Sequence, residues 1–515
     1  MRGLPRGAGR IVAVCSTGYY TREVKMGLKG KRRVRQEGIL PFELQEELGE
    51  SGITSFAGLP LVAETFRAVG ADRAVAEGPA TRVRQRDRGL SDAQMAESIC
   101  VLLAAGGEHI DDFEALRQDE GLGALLGYEV PSPTRAKEYL YAFDEGMELD
   151  GPAGGGAQQG LFGGKVGLER GPIEGLAGAV RASLRAAQAA RPCREATIDL
   201  DASIVISEKR EAAPTYTGES GYQPTVAYWA EQEMVLYDEF RDGNVPAGQG
   251  VLRVLKRAVE ALPEGVERTW FRADSAAYVH EVLNWCRDEA GITFAISADM
   301  SPELRSAVEA LPRGAWELLE VKGGVGRWWA EVEFIPAAPS VVKGRRPDRY
   351  LGIRLEPVQR ELFADGTHVK YFAVVTNDWE RPGPELLEWQ RQRAGTIEKL
   401  YDVLKNDLGA GVMPCGRFGA NAAWFRLNTL CYNLLTIVRR HGLPAELQKA
   451  RPKRLRLWVL CRAGQIVHHA RRLIVRVMWR ASWLVGLIAA ARLRVLQLGW
   501  QVRTALGARA SPLVP

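Results

Sequence analysis

Residues 196–206 read ATIDLDASIVI, an apolar run with two carboxylates at alternate positions. The aliphatic and β-branched residues of this run predict a buried strand. Side chains at positions i and i+2 of a strand point to the same face, so we expect Asp199 and Asp201 to share one face. A carboxylate buried without a partner is costly, and the pair therefore predicts neighbouring cations or a metal ion.

The segments after this strand alternate between strand and helix patterns. Strands are predicted at residues 224–230, 234–240, 267–273 and 292–297, and helices at residues 249–262 and 276–290. This order of three strands, a helix, a strand, a helix and a strand predicts an α/β fold with a ribonuclease H-like core. A strand-rich stretch interrupted by Gly and Pro follows at residues 316–377. A long helix is then predicted from Pro384 through Lys405.

The segments before this strand have a helical pattern from residue 58 to residue 143. One helix is expected to begin at Ser91-Asp92 and another at Ser132-Pro133-Thr134, where Pro occupies the first helical position. Arg135 and Lys137 lie near the start of the second of these helices. They are candidates for DNA phosphate contacts like those of the second helix in a helix-turn-helix, although surface bases on a helical bundle are common.

The predicted organisation has seven parts. They are a flexible basic arm (1–40), an α-helical N-terminal domain (41–150), a Gly/Ala-rich linker containing a short Ala-rich helix (151–193), the first part of the core (194–315), a β-rich insertion (316–377), the second part of the core (378–446) and a basic C-terminal tail (447–515).

Two further carboxylates complete a candidate set. Asp274 stands at the end of a predicted strand just before a helix, and Glu398 lies on the long late helix, seven residues from both Arg391 and Lys405 and so on their face. Taken alone, Asp274 is better explained by capping the next helix, and Glu398 by a solvated charged face. Taken with Asp201, they form a hard-oxygen site suited to Mg²⁺ or Mn²⁺. Two such ions can activate a water or a 3′-hydroxyl and stabilise the leaving oxygen at phosphorus.

The charge of the chain is distributed unevenly. The 515 residues include 68 Lys+Arg and 63 Asp+Glu, a formal net charge of +5. No acidic residue follows Glu446, and the remaining residues carry 14 bases, which leaves 54 basic and 63 acidic residues before them, a net −9. Such asymmetry suggests a polyanionic partner, either nucleic acid or an anionic membrane surface.

The tail is expected to contact DNA phosphates without reading sequence. It is predicted to begin with a strand at residues 455–460 and to continue as a basic apolar helix that includes Arg471 and Arg472. A membrane role is disfavoured, because the longest uncharged apolar run there, residues 481–491, has 11 residues where a bilayer needs about 20. Seven cysteines without a C-x-x-C pair favour a reduced, cytosolic chain without a zinc site.

Several motifs together carry a family resemblance. They are YTG at 216–218, GYQP at 221–224, VAYW at 226–229, FRDGN at 240–244, RADS at 272–275, RAGTIE at 393–398, LKND at 404–407 and RFGANA at 417–422. With them, the sequence resembles the DDE transposases of bacterial insertion sequences, specifically the insertion sequence 1380 family, whose domain is called transposase DDE group 1. The resemblance extends over roughly residues 40 to 475.

The resemblance implies a fold and an activity. It implies a ribonuclease H-like catalytic core with the β-rich insertion between the second Asp and the Glu. It also implies metal-dependent cleavage with two Mg²⁺ or Mn²⁺ ions at terminal inverted repeats bound in part by residues 41–150, and joining of the 3′-hydroxyl to target DNA. By position, the catalytic and metal-binding triad is Asp201, Asp274 and Glu398, with Asp199 as an alternative ligand at the first position.

The partners that follow are inverted-repeat and target DNA and a second or further copy of the chain. We expect a homodimer or higher multimer on DNA in the bacterial cytoplasm, associated with the nucleoid and not with a membrane. Two other hypotheses are a catalytically inactive, DNA-binding transposase relic and a two-metal hydrolase of small phosphate esters. The basic tail and the resemblance disfavour the hydrolase.

One departure from the family pattern concerns the phosphate-binding arginine. Related enzymes carry Tyr, two residues, Arg, three residues, Glu, six residues, Lys. Glu398 and Lys405 keep this spacing, but position 394 is Ala, and the aromatic residue, Trp389, lies two residues before the Tyr position, which is Arg391. Arg391 and Arg393 are therefore the two candidates for this role. Trp328-Trp329 in the insertion could stack on an unpaired base, but core packing is at least as good an interpretation.

Overall fold

The computed structural model describes residues 31–34, 44–47, 52–81, 89–145, 147–150, 164–336, 347–358, 362–363, 365–469, 472–477 and 482–505. Contacts divide the chain into two units, Met1–Gly52 and Ile53–Pro515. In the first, β1 (Lys31–Val34) pairs antiparallel with β2 (Leu44–Glu47). The predicted arm at residues 1–40 thus includes a strand, which pairs basic positions with acidic ones, and its other residues lie outside the described ranges.

Helices dominate the start of the second unit. After β3 (Ile53–Thr54) come α1 (Pro60–Ala68), α2 (Ala71–Glu77), α3 (Asp92–Ala105), α4 (Phe113–Arg117), α5 (Glu120–Leu126) and α6 (Pro133–Glu145). Helix α3 begins with a capping box in which Ser91 and Gln94 exchange hydrogen bonds between side chain and backbone. The helix starts predicted at Ser91-Asp92 and Ser132-Pro133 are confirmed.

The short Ala-rich helix predicted inside the linker is confirmed, but it belongs to the core. The short strands β4 (Leu149–Asp150) and β5 (Val166–Gly167) precede α7 (Ile173–Ala190), which buries Leu176, Val180 and Leu184. A Cβ added to Gly78, at the end of α2, would lie 2.5 Å from the Gly175 Cα of α7. The Gly and Ala residues that suggested a linker therefore allow two helices to approach closely. Residues 151–163 of the linker lie outside the described ranges.

A nine-stranded mixed sheet forms the centre of the second unit. Its region contains β6 (Glu195–Ala202), β7 (Val205–Ile206), β8 (Ala213–Pro214), β9 (Ser220–Tyr222), β10 (Thr225–Trp229), β11 (Met234–Glu239), α8 (Val251–Glu260), β12 (Arg268–Ala273), α9 (His280–Asn284), β13 (Thr293–Ala298), α10 (Pro302–Glu309), β14 (Glu317–Lys322), β15 (Val325–Val332), β16 (Arg349–Pro357) and β17 (Lys370–Thr376). The strand order is β11-β10-β6-β12-β13-β17-β16-β15-β14.

Strand directions set the position of the candidate site. β6 is antiparallel to β10 and parallel to β12, and β12 is parallel to β13. The carboxyl ends of β6 and β12 therefore lie side by side at the same end of the sheet. The α/β class and the predicted order of strands and helices are confirmed. The helix predicted at 276–290 is divided into a 3-10 turn, α9 and a π-helical turn over Trp285–Glu289.

The predicted β-rich stretch is confirmed as strands β14–β17, all antiparallel to their neighbours. These strands extend the central sheet beyond β13. The Arg354 guanidinium lies over the Trp328 ring, with its Cζ 5.5 Å from the ring centroid. Trp329 lies against Gly383. Both Trp side chains are thus engaged in packing.

The last part of the chain returns to helices. It contains α11 (Gly383–Asn406), α12 (Phe418–Ile437), α13 (Pro452–Leu455), β18 (Gly464–His469), β19 (Arg472–Val477) and α14 (Ser482–Ala505). The long helix α11 is confirmed. The strand predicted at 455–460 is wrong, because α13 continues there as a π-helical turn. The basic helix predicted around Arg472 is also wrong: the β-branched run there forms a hairpin.

Helix α14 is rich in apolar residues, and several of them are exposed, among them Trp483, Leu493 and Trp500. By length and composition alone, Trp483–Thr504 could cross a membrane, and 28% of its most apolar window is buried inside the protein. Its inner face, including Leu484, Ala491 and Leu498, packs against α1 and α7.

Candidate active site

Two acidic side chains meet at the carboxyl ends of adjacent parallel strands. Asp201 lies near the end of β6, and Asp274 directly follows β12. In the register of the two strands Leu200 pairs with Ala273, so the next residues, Asp201 and Asp274, are neighbours. Strand ends of this kind are where α/β proteins collect ligand groups.

Asp201 is held in a partly dry environment. Its side chain is 21% exposed; one oxygen accepts a hydrogen bond from the Ala202 N–H at 2.9 Å, and the other lies 3.4 Å from Arg393 Nη1. Burial raises the pKa of Asp201, the charge of Arg393 lowers it, and the charge of Asp274 raises it again; the net shift is upward. The ionised pair is therefore under-compensated, a condition that a bound cation relieves.

Asp274 serves the local backbone as well as the site. Its Oδ1 accepts a hydrogen bond from the Ala276 N–H at 3.1 Å and so caps the 3-10 turn Ser275–Ala277. The capping role considered from the sequence is thus present. It leaves Oδ2 available, so capping and ligand binding are compatible in this side chain.

Helix α11 packs against the end of β6 through three polar side chains. Arg393 approaches Asp201, and the Tyr401 hydroxyl lies 3.0 Å from the Asp201 carbonyl oxygen and 3.1 Å from that of Pro224. Lys405 Nζ donates to Ser203 Oγ and to the Ile204 carbonyl, both at 2.6 Å. Burial lowers the pKa of Lys405, while the charge of Asp201 opposes that shift. These contacts place a helix of mixed charge beside the acidic pair.

Glu398 does not join the two aspartates. It is exposed on α11, between Arg393 and Lys405. Over the described ranges, no group of three or more Asp, Glu, His or Cys side chains is arranged to hold a metal ion. The structure therefore brings together Asp201 and Asp274 and leaves Glu398 on the neighbouring helix. The two aspartates fit the donor chemistry of a divalent cation, and a third carboxylate would have to turn toward them.

Asp199 is not available as a metal ligand, which corrects that assignment. It is fully buried, and Arg272 holds both of its oxygens, Nε to Oδ1 at 2.7 Å and Nη2 to Oδ2 at 2.9 Å. The Thr396 hydroxyl also donates to Oδ2. The cation expected beside this carboxylate is thus an arginine. In the sequence, Arg272 stands out only as part of the motif RADS, and its pairing with Asp199 was not predicted.

The two candidate arginines on α11 point to different places. Arg391 forms an ion pair with Glu320 of β14, whereas Arg393 contacts Asp201 and the Leu200 carbonyl. Arg391, Glu398 and Lys405 therefore do not form one functional surface. Arg393 is the arginine at the strand ends.

The other DNA-binding candidates lie on separate surfaces. Arg135 and Lys137 are exposed on α6, where Arg135 pairs with Glu138 at 2.9 Å and Lys137 lies over the Tyr141 ring. Arg472 is exposed on β19, and Arg471 lies outside the described residues.

Comparison with known proteins gives one family match. The sequence model of the family described as Transposase DDE domain group 1 matches residues 45–494. No curated protein matches the chain significantly. Solved structures similar to the chain include a cryo-EM structure of the piggyBac transposase synaptic complex with hairpin DNA. That similarity has 9% sequence identity and a TM-score of 0.41, and covers 88% of this chain and 86% of that chain.

Proposed function

The chain belongs to the family Transposase DDE domain group 1, and from this premise we propose that it is a DNA transposase of the insertion sequence 1380 type. It binds the terminal inverted repeats of its element, cleaves the DNA at the element's ends and joins the freed 3′-hydroxyl to target DNA. It does so in the bacterial cytoplasm, on nucleoid DNA, as a homodimer or higher multimer. The proposed catalytic core is ribonuclease H-like, and β14–β17 are its insertion.

The observation that carries this proposal is the pairing of Asp201 with Asp274 beside α11. Both side chains are partly buried, and their two negative charges repel each other. They are the groups that would hold Mg²⁺ or Mn²⁺, and Glu398 is the proposed third ligand. When bound, two such ions activate the attacking water or hydroxyl and stabilise the leaving oxygen.

The bases of α11 support the same chemistry. Arg393 lies 3.4 Å from Asp201 and can instead pair with a DNA phosphate when a cation neutralises that carboxylate. Lys405 fixes the chain just after β6 by binding Ser203 and Ile204. Arg391 is proposed to orient the insertion through Glu320. More distant phosphate contacts are assigned to Arg135, Lys137 and Arg472, with Arg471 beside it in sequence.

The exposure of Glu398 favours one alternative, a DNA-binding relic that has lost catalysis. In a relic, the third carboxylate would never turn toward the aspartates. In an active transposase, binding of the metal and of the DNA end would bring it in. The two alternatives differ in whether Glu398 matters for cleavage.

Nicking of a labelled DNA duplex that carries the element's end tests the proposal. Asp201→Asn, Asp274→Asn and Glu398→Gln should each lower Mg²⁺-dependent nicking by about 10²- to 10³-fold, the range typical of losing one electrostatic stabiliser. End binding should remain. Glu385→Gln, an exposed acid on the same helix, is the matched control and should nick like the unmodified protein. Binding without nicking by the unmodified protein would establish the relic, and unimpaired Glu398→Gln would remove Glu398 from the site.

A further inference from the structure

A buried polar network links three elements of the proposed site. Asp199 of β6, Arg272 of β12 and Thr396 of α11 meet in the core, and we call these three side chains the Asp199 network. Asp199 is fully buried, and Arg272 is 2% exposed. The Arg272 guanidinium binds the carboxylate through two parallel hydrogen bonds of 2.7 and 2.9 Å, the strongest geometry for such a pair.

The network contacts α11 at two points that are two helical turns apart. Arg272 Nη1 donates to the Trp389 carbonyl at 2.6 Å, and the Thr396 hydroxyl reaches Asp199 Oδ2. The Arg272 guanidinium also lies 5.1 Å from the centre of the Trp389 ring. Two contacts seven residues apart fix the rotation of the helix as well as its position along its axis.

The members of the network have a regular relation to the three proposed acidic ligands. Asp199 comes two residues before Asp201, Arg272 two before Asp274, and Thr396 two before Glu398. Along β6 and at the end of β12, residues two apart share a face, so the network lies in the same layer as the acidic pair. On α11, residues two apart are about 200° apart around the axis, so Thr396 faces Asp199 while Glu398 is exposed on another side of the helix. The Thr396 hydroxyl is also 2.8 Å from the carbonyl of Arg393, the residue that contacts Asp201.

We infer that Asp199, Arg272 and Thr396 are positioning residues, which set α11 against the ends of β6 and β12 so that Glu398 and Arg393 can act together with Asp201 and Asp274. This inference rests on the proposed function for its catalytic consequence. The network touches none of the reacting groups; it acts through the placement of the helix. Misplacement of a catalytic element by about 1 Å can cost 10²-fold in rate.

A second network of the same chemistry provides a matched control. Asp238 of β11 forms a 2.8 Å ion pair with Arg426 of α12, and the Thr429 hydroxyl lies 2.8 Å from Asp238 Oδ1 and 2.9 Å from the Arg426 carbonyl. Thr429 thus repeats the bonding of Thr396, to a buried strand aspartate and to the carbonyl three residues earlier. It holds α12, which carries no proposed ligand.

The test compares Thr396→Val with Thr429→Val, because each keeps the shape of the side chain and removes one hydroxyl. Hydrogen exchange should accelerate at residues 389–400 in Thr396→Val and leave this segment unchanged in Thr429→Val. Nicking of end DNA should fall 10- to 100-fold in Thr396→Val, in kcat and not in KM, because DNA binding is untouched. Thr429→Val should remain within about twofold. Thr396→Ser, which restores a hydroxyl, should recover most of the rate.

Arg272→Lys is the stronger variant, because a lysine keeps the charge but cannot hold both carboxylate oxygens and the Trp389 carbonyl. Equal rates in Thr396→Val and Thr429→Val, or no recovery in Thr396→Ser, would overturn the inference. Absence of nicking by the unmodified protein would defeat the proposed function instead. The inference would then stand or fall on whether exchange at residues 389–400 responds to Thr396→Val alone.

Discussion

The hydroxyl of Tyr401 has two possible hydrogen-bond acceptors. One is the carbonyl of Asp201 in β6, and the other is the carbonyl of Pro224, just before the neighbouring strand β10. Tyr401→Phe removes the donor from a buried position. We expect the free energy of unfolding to fall by about 1 kcal/mol, the typical net value of one hydrogen bond. Urea unfolding measures the change. Tyr216→Phe is the control, because Tyr216 is 81% exposed and its loss should have no effect.

Asp242 supplies a pH-dependent contribution to stability. Burial raises its pKa to about 6; hydrogen bonding from the Lys165 N–H opposes this shift, and its Oδ1 has no hydrogen-bond partner in the described structure. A raised pKa means that the folded state binds the proton more tightly than the unfolded state does. The stabilising effect is therefore complete below the ordinary pKa of 3.8 and is lost as pH rises through about 6.

Asp242→Asn should remove this dependence. Between pH 4 and 7 the unmodified protein is expected to lose roughly 2–3 kcal/mol from this group, at 1.36 kcal/mol per pKa unit. The variant should lack that slope in urea unfolding measured across the same range. Asp111→Asn, at an exposed position, should keep the slope. A slope that persists in Asp242→Asn would assign the effect to another group.

The sequence predicted both carboxylates of the first strand but could not assign their roles. Their alternation places Asp199 and Asp201 on one face, and this requires only the local strand geometry. What separates them is Arg272, which is 73 residues away in sequence and adjacent to Asp199 in the sheet. A single sequence contains no signal for that pairing. Likewise, Arg393 could be told from Arg391 only after α11 was placed against β6 and β14.

At the scale of elements, the start of α11 packs closely against the insertion. A Cβ added to Gly383 would lie 2.2 Å from a ring carbon of Trp329, on β15. Replacing Gly by Ala in a helix usually stabilises by up to about 1 kcal/mol, but this contact forces movement of a Trp ring or of the helix. Overpacking costs about 1–3 kcal/mol, so it outweighs the gain.

Gly383→Ala should therefore lower the free energy of unfolding and slow nicking, because it displaces α11. Gly395→Ala is the matched control: it lies on the same helix, and an added Cβ there meets nothing within 4 Å. It should raise stability by up to about 1 kcal/mol. Thermal unfolding of both variants measures the difference. Equal stabilisation by the two would show that α11 does not rest on Trp329.

Elements with one dominant signal were predictable, and elements with competing signals were not. Helix α3 has its capping residues, and β6 has an unmistakable buried pattern. The segment Arg472–Val477 contains both bases and β-branched residues, and pairing with β18 decides for strand. Helix α7 was predicted as a helix but assigned to a linker because Gly and Ala lack bulk, yet lack of bulk is what permits its contact with α2. Tertiary packing overrides local preference in both cases.

At the scale of the molecule, three bases of the positive tail form ion pairs with acidic side chains of the body. Arg451 pairs with Asp402 and with Asp407, Lys453 lies 3.5 Å from Asp407, and Arg492 pairs with Glu64. Some of the positive charges in the tail thus attract acidic side chains of the body and help to hold the tail against it. On the hairpin of β18 and β19, Arg472 and Arg476 are exposed, and these are the two tail bases that we expect to contact DNA phosphates.

This distinction predicts which bases set the salt dependence of DNA binding. Each phosphate neutralised contributes about −0.9 to the slope of log K against log salt, because binding releases condensed counterions. Arg472→Gln combined with Arg476→Gln should therefore make the slope less steep by about 2. Neither guanidinium forms an ion pair within the described part of the chain, so their removal should leave stability nearly unchanged.

Arg492→Gln is the control: it also removes a tail charge, but one already paired with Glu64, so the slope should stay the same. Fluorescence anisotropy with end DNA between 50 and 200 mM salt measures all three proteins. A slope that responds equally to both changes would mean that the tail acts through its total charge, and an unchanged slope in the double variant would place the DNA away from the hairpin.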